Sequence, residues 1–169
     1  MKKLLTLMMV FILSLSLVAC GGEEITLQSQ TVNGLTFDVP SDFGEFEDFQ
    51  SQFKVAKNAD STASIAVSGR IDAEGITADS WDEELYSAIV LGSFAESQLL
   101  EFSNTDTVAG APAIFAHYTG KNAKDIEVEG YNYYVYYDDG TYQSIAFTFF
   151  KDGNSSLEQN ITAILNSIK

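Results

Sequence analysis

Residues 131–150 contain two runs of alternating side chains on either side of Asp139-Gly140, in the segment YNYYVYYDDGTYQSIAFTFF. An Asp-Gly pair between such runs is typical of a two-residue type I′ turn, in which both turn residues adopt positive φ angles. A turn of this kind joins two antiparallel strands. The segment therefore predicts a β-hairpin with strands at about 128–138 and 141–150, and a fold built on an antiparallel sheet.

This hairpin holds six of the eight tyrosines of the chain within residues 131–142. If Asp138 pairs with Thr141, one face carries tyrosines opposite mainly small or hydroxyl-bearing residues, namely Tyr131, Tyr133, Tyr137 and Tyr142. The other face carries a core-like set, namely Tyr134, Tyr136, Ile145, Phe147 and Phe149. The first face has two interpretations, a second layer of packing under a helix or a surface that binds a ligand or partner. A one-residue bulge at the turn would exchange the two faces.

Further alternating segments predict the rest of the sheet. Asn33-Gly34 is a strong hairpin signal and predicts strands at about 25–31 and 35–39, the second of which Pro40 ends. The segments FKVAK and TASIAVSGRI form another pair around the turn residues Asn58-Ala59-Asp60. Strands are also predicted at about 104–109 and 113–120. The sheet should therefore have about six to eight strands.

The cleaner of two predicted helices lies at the C-terminal end of the sequence. Its apolar residues fall on one helical face, and they are Leu157, Ile161, Ile164, Leu165 and Ile168. Ser155 with Glu158 three residues later forms a capping box, and Asn154 is a rival cap. This stripe predicts a helix that packs on the sheet.

A longer helix is predicted over about 79–102, with Ser80 and Glu83 as its capping pair. Its apolar stripe consists of Trp81, Leu85, Ala88, Ile89, Gly92, Ala95 and Leu99. Val90 and Phe94 point nearly the opposite way on a helical wheel. They are either covered by a loop, which we favour, or part of a contact patch.

Many antiparallel strands with only two long helices indicate an α+β fold. Residues 25–169 have the length of one ordinary domain, and neither a Pro/Ser-rich linker nor a repeat interrupts them. Cys20 is the only cysteine of the chain, so no intramolecular disulfide can form. The domain must be held together by its core.

The first twenty residues, MKKLLTLMMVFILSLSLVAC, combine two lysines, an apolar run and a small-residue end, which is typical of a secretory signal. Leu17-Val18-Ala19-Cys20 resembles the lipobox of bacterial lipoproteins, in which the cysteine thiol receives a diacylglycerol and becomes the new N-terminus. The resemblance implies a signal peptide over 1–19 and a lipidated tether over 20–24. We expect anchoring through lipid on Cys20 at the extracytoplasmic face of the cell membrane.

Charge limits the possible partners. Removal of the signal with its two lysines leaves 24 acidic residues against seven basic ones, a formal net charge of −17. Such a chain is unsuited to nucleic acid and is repelled by an anionic lipid surface. The acidic residues keep the domain soluble, or they face a basic partner.

Two segments carry a family resemblance. GLTFDVPSDF at 34–43, and the ending GTYQSIAFTFFKDGNSSLEQNITAILNSIK, resemble the opening and the close of the PsbP-like family, named for an extrinsic subunit of photosystem II. The resemblance covers about 25–169 and implies an α/β/α sandwich with nothing catalytic. Photosynthetic members dock onto a membrane complex through an N-terminal extension that this chain does not match. No functional residue is carried over.

The residue types of known catalytic and metal sites are scarce. His117, the only histidine of the sequence, lies in a predicted strand with no cysteine to accompany it, so neither Cys/His catalysis nor a thiolate zinc site is expected, and it is interpreted as a satisfied structural histidine. No cofactor or metal site is predicted. Acidic pairs such as Asp82 with Glu83 could serve a carboxylate-dependent extracytoplasmic hydrolase, although a helix start explains both residues.

The favoured function is a non-enzymatic binding or docking lipoprotein with a protein partner in the cell envelope. The candidate binding surface is the tyrosine face of Tyr131, Tyr133, Tyr137 and Tyr142, or the patch of Val90 and Phe94. Carboxylate-dependent hydrolysis is the alternative.

Overall fold

The computed structural model describes residues 24–50, 52–151 and 153–169. The predicted signal peptide at 1–19 and the predicted lipidation site Cys20 lie outside the described residues. None of the helices within this part of the chain has the length and apolar character needed to cross a membrane.

The described residues form strands and helices in an order that begins with strands and ends with a helix. The elements are β1 Leu27–Val32, β2 Leu35–Pro40, β3 Glu47–Phe49, β4 Phe53–Lys57, β5 Ala63–Ser68, β6 Ile71–Asp72, α1 Glu83–Ile89, β7 Ala95–Val108, β8 Ala111–Lys121, β9 Glu127–Tyr136, β10 Thr141–Phe150 and α2 Ser156–Ser167. Short 3-10 turns at Ala78–Ser80 and Leu91–Ser93 flank α1.

The main sheet is antiparallel and has eight strands. Its order is β3-β4-β5-β10-β9-β8-β7, and β6 pairs with β10 beside that path. Strands β1 and β2 form a separate two-stranded hairpin. The predicted α+β class, the strand number and the two helices are confirmed.

The β1–β2 hairpin turns at the predicted residues. Asn33 has a φ of 50° and Gly34 a φ of 92°, the left-handed conformations that a type I′ turn requires. Val32 pairs with Leu35 directly across this turn. Phe37 of β2 then places its ring edge-on against Phe147 of β10, with centroids 5.9 Å apart.

Helix α2 begins and packs as its sequence predicts. The Ser155 hydroxyl accepts a hydrogen bond from the amide of Glu158, so Ser155 and not Asn154 is the cap. Leu157 and Ile164 are fully buried against β2 and the sheet. The chain end is held against β2, because the backbone groups of Lys169 and Thr36 hydrogen-bond in both directions.

The prediction of one helix over 79–102 is wrong. Helix α1 spans only Glu83–Ile89, and β7 begins at Ala95. The segment from Ala95 has helix-compatible residues, but long antiparallel pairing with β8 determines its conformation. The buried residue of α1 is Tyr86, which the predicted stripe leaves out, whereas Leu85 and Ile89 of that stripe are exposed.

The predicted register of the β9–β10 hairpin is also wrong, by one residue. Tyr136 pairs with Tyr142 and Tyr131 pairs with Phe147. The loop has three residues, 138–140, of which Gly140 alone has a positive φ, at 78°. This is the type I turn with a glycine bulge, and relative to a type I′ turn it exchanges the face of β10 that lies beside each face of β9.

The sheet separates two hydrophobic clusters. On one face, the β1–β2 hairpin and α2 cover a core that includes Phe37, Ile145, Phe147 and Ile164. On the other face, the segment containing α1 covers a second cluster around Tyr86, Ile114 and Tyr118. The layers are therefore helix and hairpin, sheet, and helix, as the α/β/α sandwich implied.

Candidate functional site

A cavity of about 270 Å³ lies between the sheet and the segment around α1. We call it the Trp81 cavity. Its wall consists of Ala73, Ile76, Trp81, Ile89, Val90, Tyr134, Tyr136 and Tyr142. The chain supplies these residues from two places, the segment 73–90 and the β9–β10 hairpin.

Trp81 is held in place from three sides. Its indole Nε1 donates a hydrogen bond of 2.7 Å to the Tyr136 hydroxyl. Its backbone carbonyl accepts one of 2.7 Å from Nδ2 of Asn104. Its ring stacks on Tyr134 with centroids 6.5 Å apart and planes 23° from parallel. A side chain fixed in this way loses little further conformational freedom when a partner binds.

Two exposed isoleucines border the cavity. Ile76 is 46% exposed and Ile89 is 62% exposed, and both line the same cavity. Ile89 is the last residue of α1, and Asp82 begins that helix by accepting a hydrogen bond from the amide of Leu85. The helix thus presents Ile89 at the mouth of the cavity while its Tyr86 is buried in the sheet cluster.

The floor of the cavity is made of neutral phenols. Burial raises the pKa of Tyr134 well above its ordinary value, and the neighbouring tyrosines Tyr118, Tyr142 and Tyr136 add to that shift. Burial also raises the pKa of Tyr136, and this effect is larger than the lowering of the pKa by the hydrogen bond from Trp81. At neutral pH this surface is aromatic, uncharged and suited to apolar side chains.

A larger depression of about 460 Å³ lies at the other end of the sheet, along β3, β4 and β5. Its lining includes the charged residues Glu45, Glu47, Asp48 and Lys57, with Phe49 as its one aromatic. It lacks the rigid aromatic wall of the Trp81 cavity.

The tyrosines of the opposite face pack beside the main core. Tyr133 lies against Phe115 with ring centroids 5.0 Å apart, and burial with the charges of Asp106 and Glu101 raises its pKa to about 12. Tyr137 donates a hydrogen bond of 3.0 Å to Oε1 of Gln143. These contacts fit the packing interpretation of the tyrosine face.

His117 belongs to this same face and has two partners. Its Nε2 lies 2.7 Å from Oε1 of Glu129, and its ring stacks on Tyr131 at a centroid distance of 4.1 Å. The Tyr131 hydroxyl donates to the same Glu129 oxygen at 3.0 Å. This geometry agrees with the predicted structural role of His117.

The residues considered for catalysis or metal binding do not assemble into a site. Asp82 caps α1 through a hydrogen bond of 2.8 Å, and Glu83 is exposed beside it in the first turn. Across the described ranges, no three His, Cys, Asp or Glu side chains come together in a way that could hold a metal ion.

The structure divides the six predicted surface residues between the two faces of the sheet. Tyr142 and Val90 line the Trp81 cavity, and Phe94 packs near it against Tyr118. The other three lie on the opposite face, and they are Tyr131, Tyr133 and Tyr137. Grouping Tyr142 with those three is wrong, because that grouping depended on the type I′ register.

Sequence reasoning missed several residues of the cavity, namely Ile76, Trp81, Ile89, Tyr134 and Tyr136. Two signals pointed to them. Trp81 is the only tryptophan of the chain, and Asp138-Asp139-Gly140 also fits a three-residue loop, which turns Tyr134 and Tyr136 toward α1.

No protein-family model and no curated protein matches this sequence. Solved structures do match. The cyanobacterial PsbP protein (CyanoP) of Synechocystis superposes with a TM-score of 0.60 at 14% identity, over 90% of this chain and 98% of that one. The chain has the PsbP-like fold.

The PsbP-like fold also appears in two other solved proteins. The Ran-binding protein Mog1p of Saccharomyces cerevisiae matches with a TM-score of 0.55 at 13% identity, over 86% of this chain and 96% of that one. A Pseudomonas aeruginosa protein of unknown function matches with a TM-score of 0.52 at 14% identity, over 83% and 92%. At these identities the likeness establishes the fold alone.

Proposed function

We propose that this protein is a lipid-anchored bacterial lipoprotein that acts as a non-enzymatic docking module on the outer side of the membrane. Residues 1–19 are its signal peptide, Cys20 is the lipidated residue, 20–24 form the tether, and 25–169 form the docking domain. The partner is a protein of the cell envelope.

The observation that carries the docking function is the Trp81 cavity with its two exposed isoleucines. Protein interfaces concentrate binding energy in a few residues, often tryptophan or tyrosine, that lie in well-packed pockets. Here Trp81 is already fixed by Tyr136, Tyr134 and Asn104 before any partner arrives. Val90 and Tyr142, from the predicted surface set, belong to this docking surface.

Two further points support a binding role. Mog1p, which shares the fold, is a Ran-binding protein, so the fold can serve protein recognition. The hydrolase alternative is weakened, because Asp82 of its example pair caps the start of α1. Tyr131, Tyr133 and Tyr137 are assigned to packing.

The anchor is tested by Cys20→Ser in the full-length chain. Without the thiol no diacylglycerol can be attached, so the protein should leave the detergent phase or remain unprocessed. Phase partitioning and gel migration measure both effects. Partitioning and migration identical to those of the unchanged chain would rule out the lipoprotein assignment.

The docking surface is tested by a photo-crosslinking amino acid at Ile89 in intact cell envelopes. The matched control carries the same group at Phe49, which is 53% exposed at the far edge of the sheet. We expect a discrete protein adduct from position 89 that the control does not form. The same adducts from both positions, or none from either, would contradict docking at this cavity.

A further inference from the structure

We propose that the Trp81 cavity receives a cationic protein segment in which one large apolar side chain is flanked by lysines or arginines. This inference rests on the proposed docking function and adds the chemistry of the partner. It follows from the charge around the cavity, the lack of internal counter-charges, and the size and polarity of the cavity itself.

The segment that builds one wall of the cavity is strongly acidic. Residues 72–90 contain six carboxylates and no lysine or arginine. All six are exposed, and they are Asp72, Glu74, Asp79, Asp82, Glu83 and Glu84. The isoleucines at the mouth of the cavity thus belong to a segment whose charged side chains are all acidic.

These carboxylates have no cationic partner within the described part of the chain. The Lys and Arg salt bridges found there go to other acidic residues, as in Lys54–Asp48 and Arg70–Asp139. The remaining ones join Lys121 to Glu96 and Asp125, and Lys151 to Glu127. Counter-charges for the segment 72–90 must therefore come from another molecule or from solvent ions.

The size and the aromatic wall of the cavity indicate which part of the partner enters it. Its volume of about 270 Å³ lies just under the range of about 300–1,000 Å³ that accommodates drug-sized ligands. One large apolar side chain is a better match than an extended ligand. The aromatic faces of Trp81 and Tyr142 also favour a cation that passes over the rim.

A membrane surface is the competing occupant, since exposed isoleucines also insert into lipid. The six carboxylates oppose binding to anionic lipid. They complement a cationic protein segment, and electrostatic complementarity of this kind accelerates association and selects the partner. The observations therefore favour the protein segment.

Trp81 supplies the readout, because it is the only tryptophan of the chain and forms part of the cavity wall. The probe is a lysine-rich synthetic peptide with a single central leucine and no aromatic residue, added to the full-length chain in neutral detergent. We expect a saturable change in tryptophan fluorescence. A glutamate-rich peptide with the same leucine should cause none, and replacing the leucine by serine should weaken binding at least tenfold.

Substitutions test whether the peptide binds at the cavity and whether binding depends on the carboxylates of the segment 72–90. Ile89→Ser should abolish the fluorescence change, and the pair Glu83→Gln with Glu84→Gln should weaken binding severalfold and reduce its dependence on salt. Asp82 is left unchanged so that α1 keeps its cap. The matched control, Glu45→Gln with Glu47→Gln, makes the same charge change at the far edge of the sheet and should leave binding unaltered.

Three results would overturn the proposal. They are equal binding of the glutamate peptide, equal weakening by the two charge-changing pairs, and a fluorescence change that phosphatidylcholine vesicles cause in full-length Cys20→Ser and that the added substitution Ile89→Ser removes. If position 89 still forms its specific crosslink in envelopes, the docking function stands and the cationic partner is wrong. If that crosslink is absent too, both proposals fail.

Discussion

Gly130, in the middle of β9, lies directly against the ring of Tyr118 on the neighbouring strand. A Cβ at this position would overlap the phenol ring of Tyr118, which is only 3% exposed and packed in the second cluster. Gly130 lies in a strand and has no positive φ, so its backbone conformation does not require glycine. The close approach of the Tyr118 ring does. The space that Gly130 leaves open helps to fix Tyr118 in the aromatic layer beside the Trp81 cavity.

We therefore expect Gly130→Ala to lower the free energy of unfolding by about 1–3 kcal/mol, the usual cost of overpacking a core. Urea denaturation measures the change. Gly92→Ala is the matched control, because an added Cβ there meets no atom within 4 Å. Equal effects of the two substitutions would show that Tyr118 does not restrict the space at Gly130.

At the scale of elements, an apolar stripe predicts the buried face of α2 correctly and that of α1 incorrectly. Helix α2 follows its stripe because it covers the sheet with one face only. Helix α1 is two turns long, and a single buried side chain, Tyr86, determines its orientation. A short helix contributes too few apolar residues for periodicity to identify its buried face.

Ile164→Ala should destabilise the protein by about 2–5 kcal/mol, because the isoleucine is fully buried between α2 and the sheet. Thr162→Ala, at an exposed position of the same helix, should change the free energy of unfolding by less than about 0.5 kcal/mol. Chemical denaturation of both variants tests the contrast. A small loss for Ile164→Ala would mean that α2 does not pack as described.

For the whole molecule, the tyrosines are packed as protonated phenols on both faces of the sheet. Burial is the leading cause of a raised pKa in seven of them, namely Tyr86, Tyr118, Tyr131, Tyr133, Tyr134, Tyr136 and Tyr137. The folded protein therefore holds phenol protons that the unfolded chain releases near about pH 10. This contribution to stability is complete below that pH and is lost as pH rises through the folded pKa values.

We expect tyrosine ionisation to leave the free energy of unfolding unchanged near about pH 8. Above about pH 10 it should lower that free energy steeply. For Tyr133 the loss should extend up to its folded pKa of about 12. Urea denaturation at increasing pH, with tyrosinate absorbance recorded in parallel, measures both effects. Titration of these seven tyrosines as free phenols, with the fold intact, would contradict the effect of burial on their pKa values.

Much of the architecture follows from the sequence by itself. Alternation, Asn33-Gly34 and the stripe of α2 with its Ser155 cap specify an antiparallel α+β fold, because these signals act over a few neighbouring residues. The resemblance in GLTFDVPSDF and the final segment pointed to the PsbP-like fold that the solved structures share. The resemblance of Leu17–Cys20 to a lipobox predicts an anchor without any reference to the fold, and this anchor stays a prediction.

Tertiary structure alone decided which residues form the site. The three-residue loop at Gly140 sets the β9–β10 register, and one residue of register moves Tyr142 from the face of Tyr131, Tyr133 and Tyr137 to the face of Tyr134 and Tyr136. Pairing with β8 converts the segment from Ala95 into β7 and limits α1 to Glu83–Ile89. The Trp81 cavity lies between the segment 73–90 and the face of the β9–β10 hairpin that carries Tyr134, Tyr136 and Tyr142. It depends on long-range strand pairing, which outweighs local propensity here.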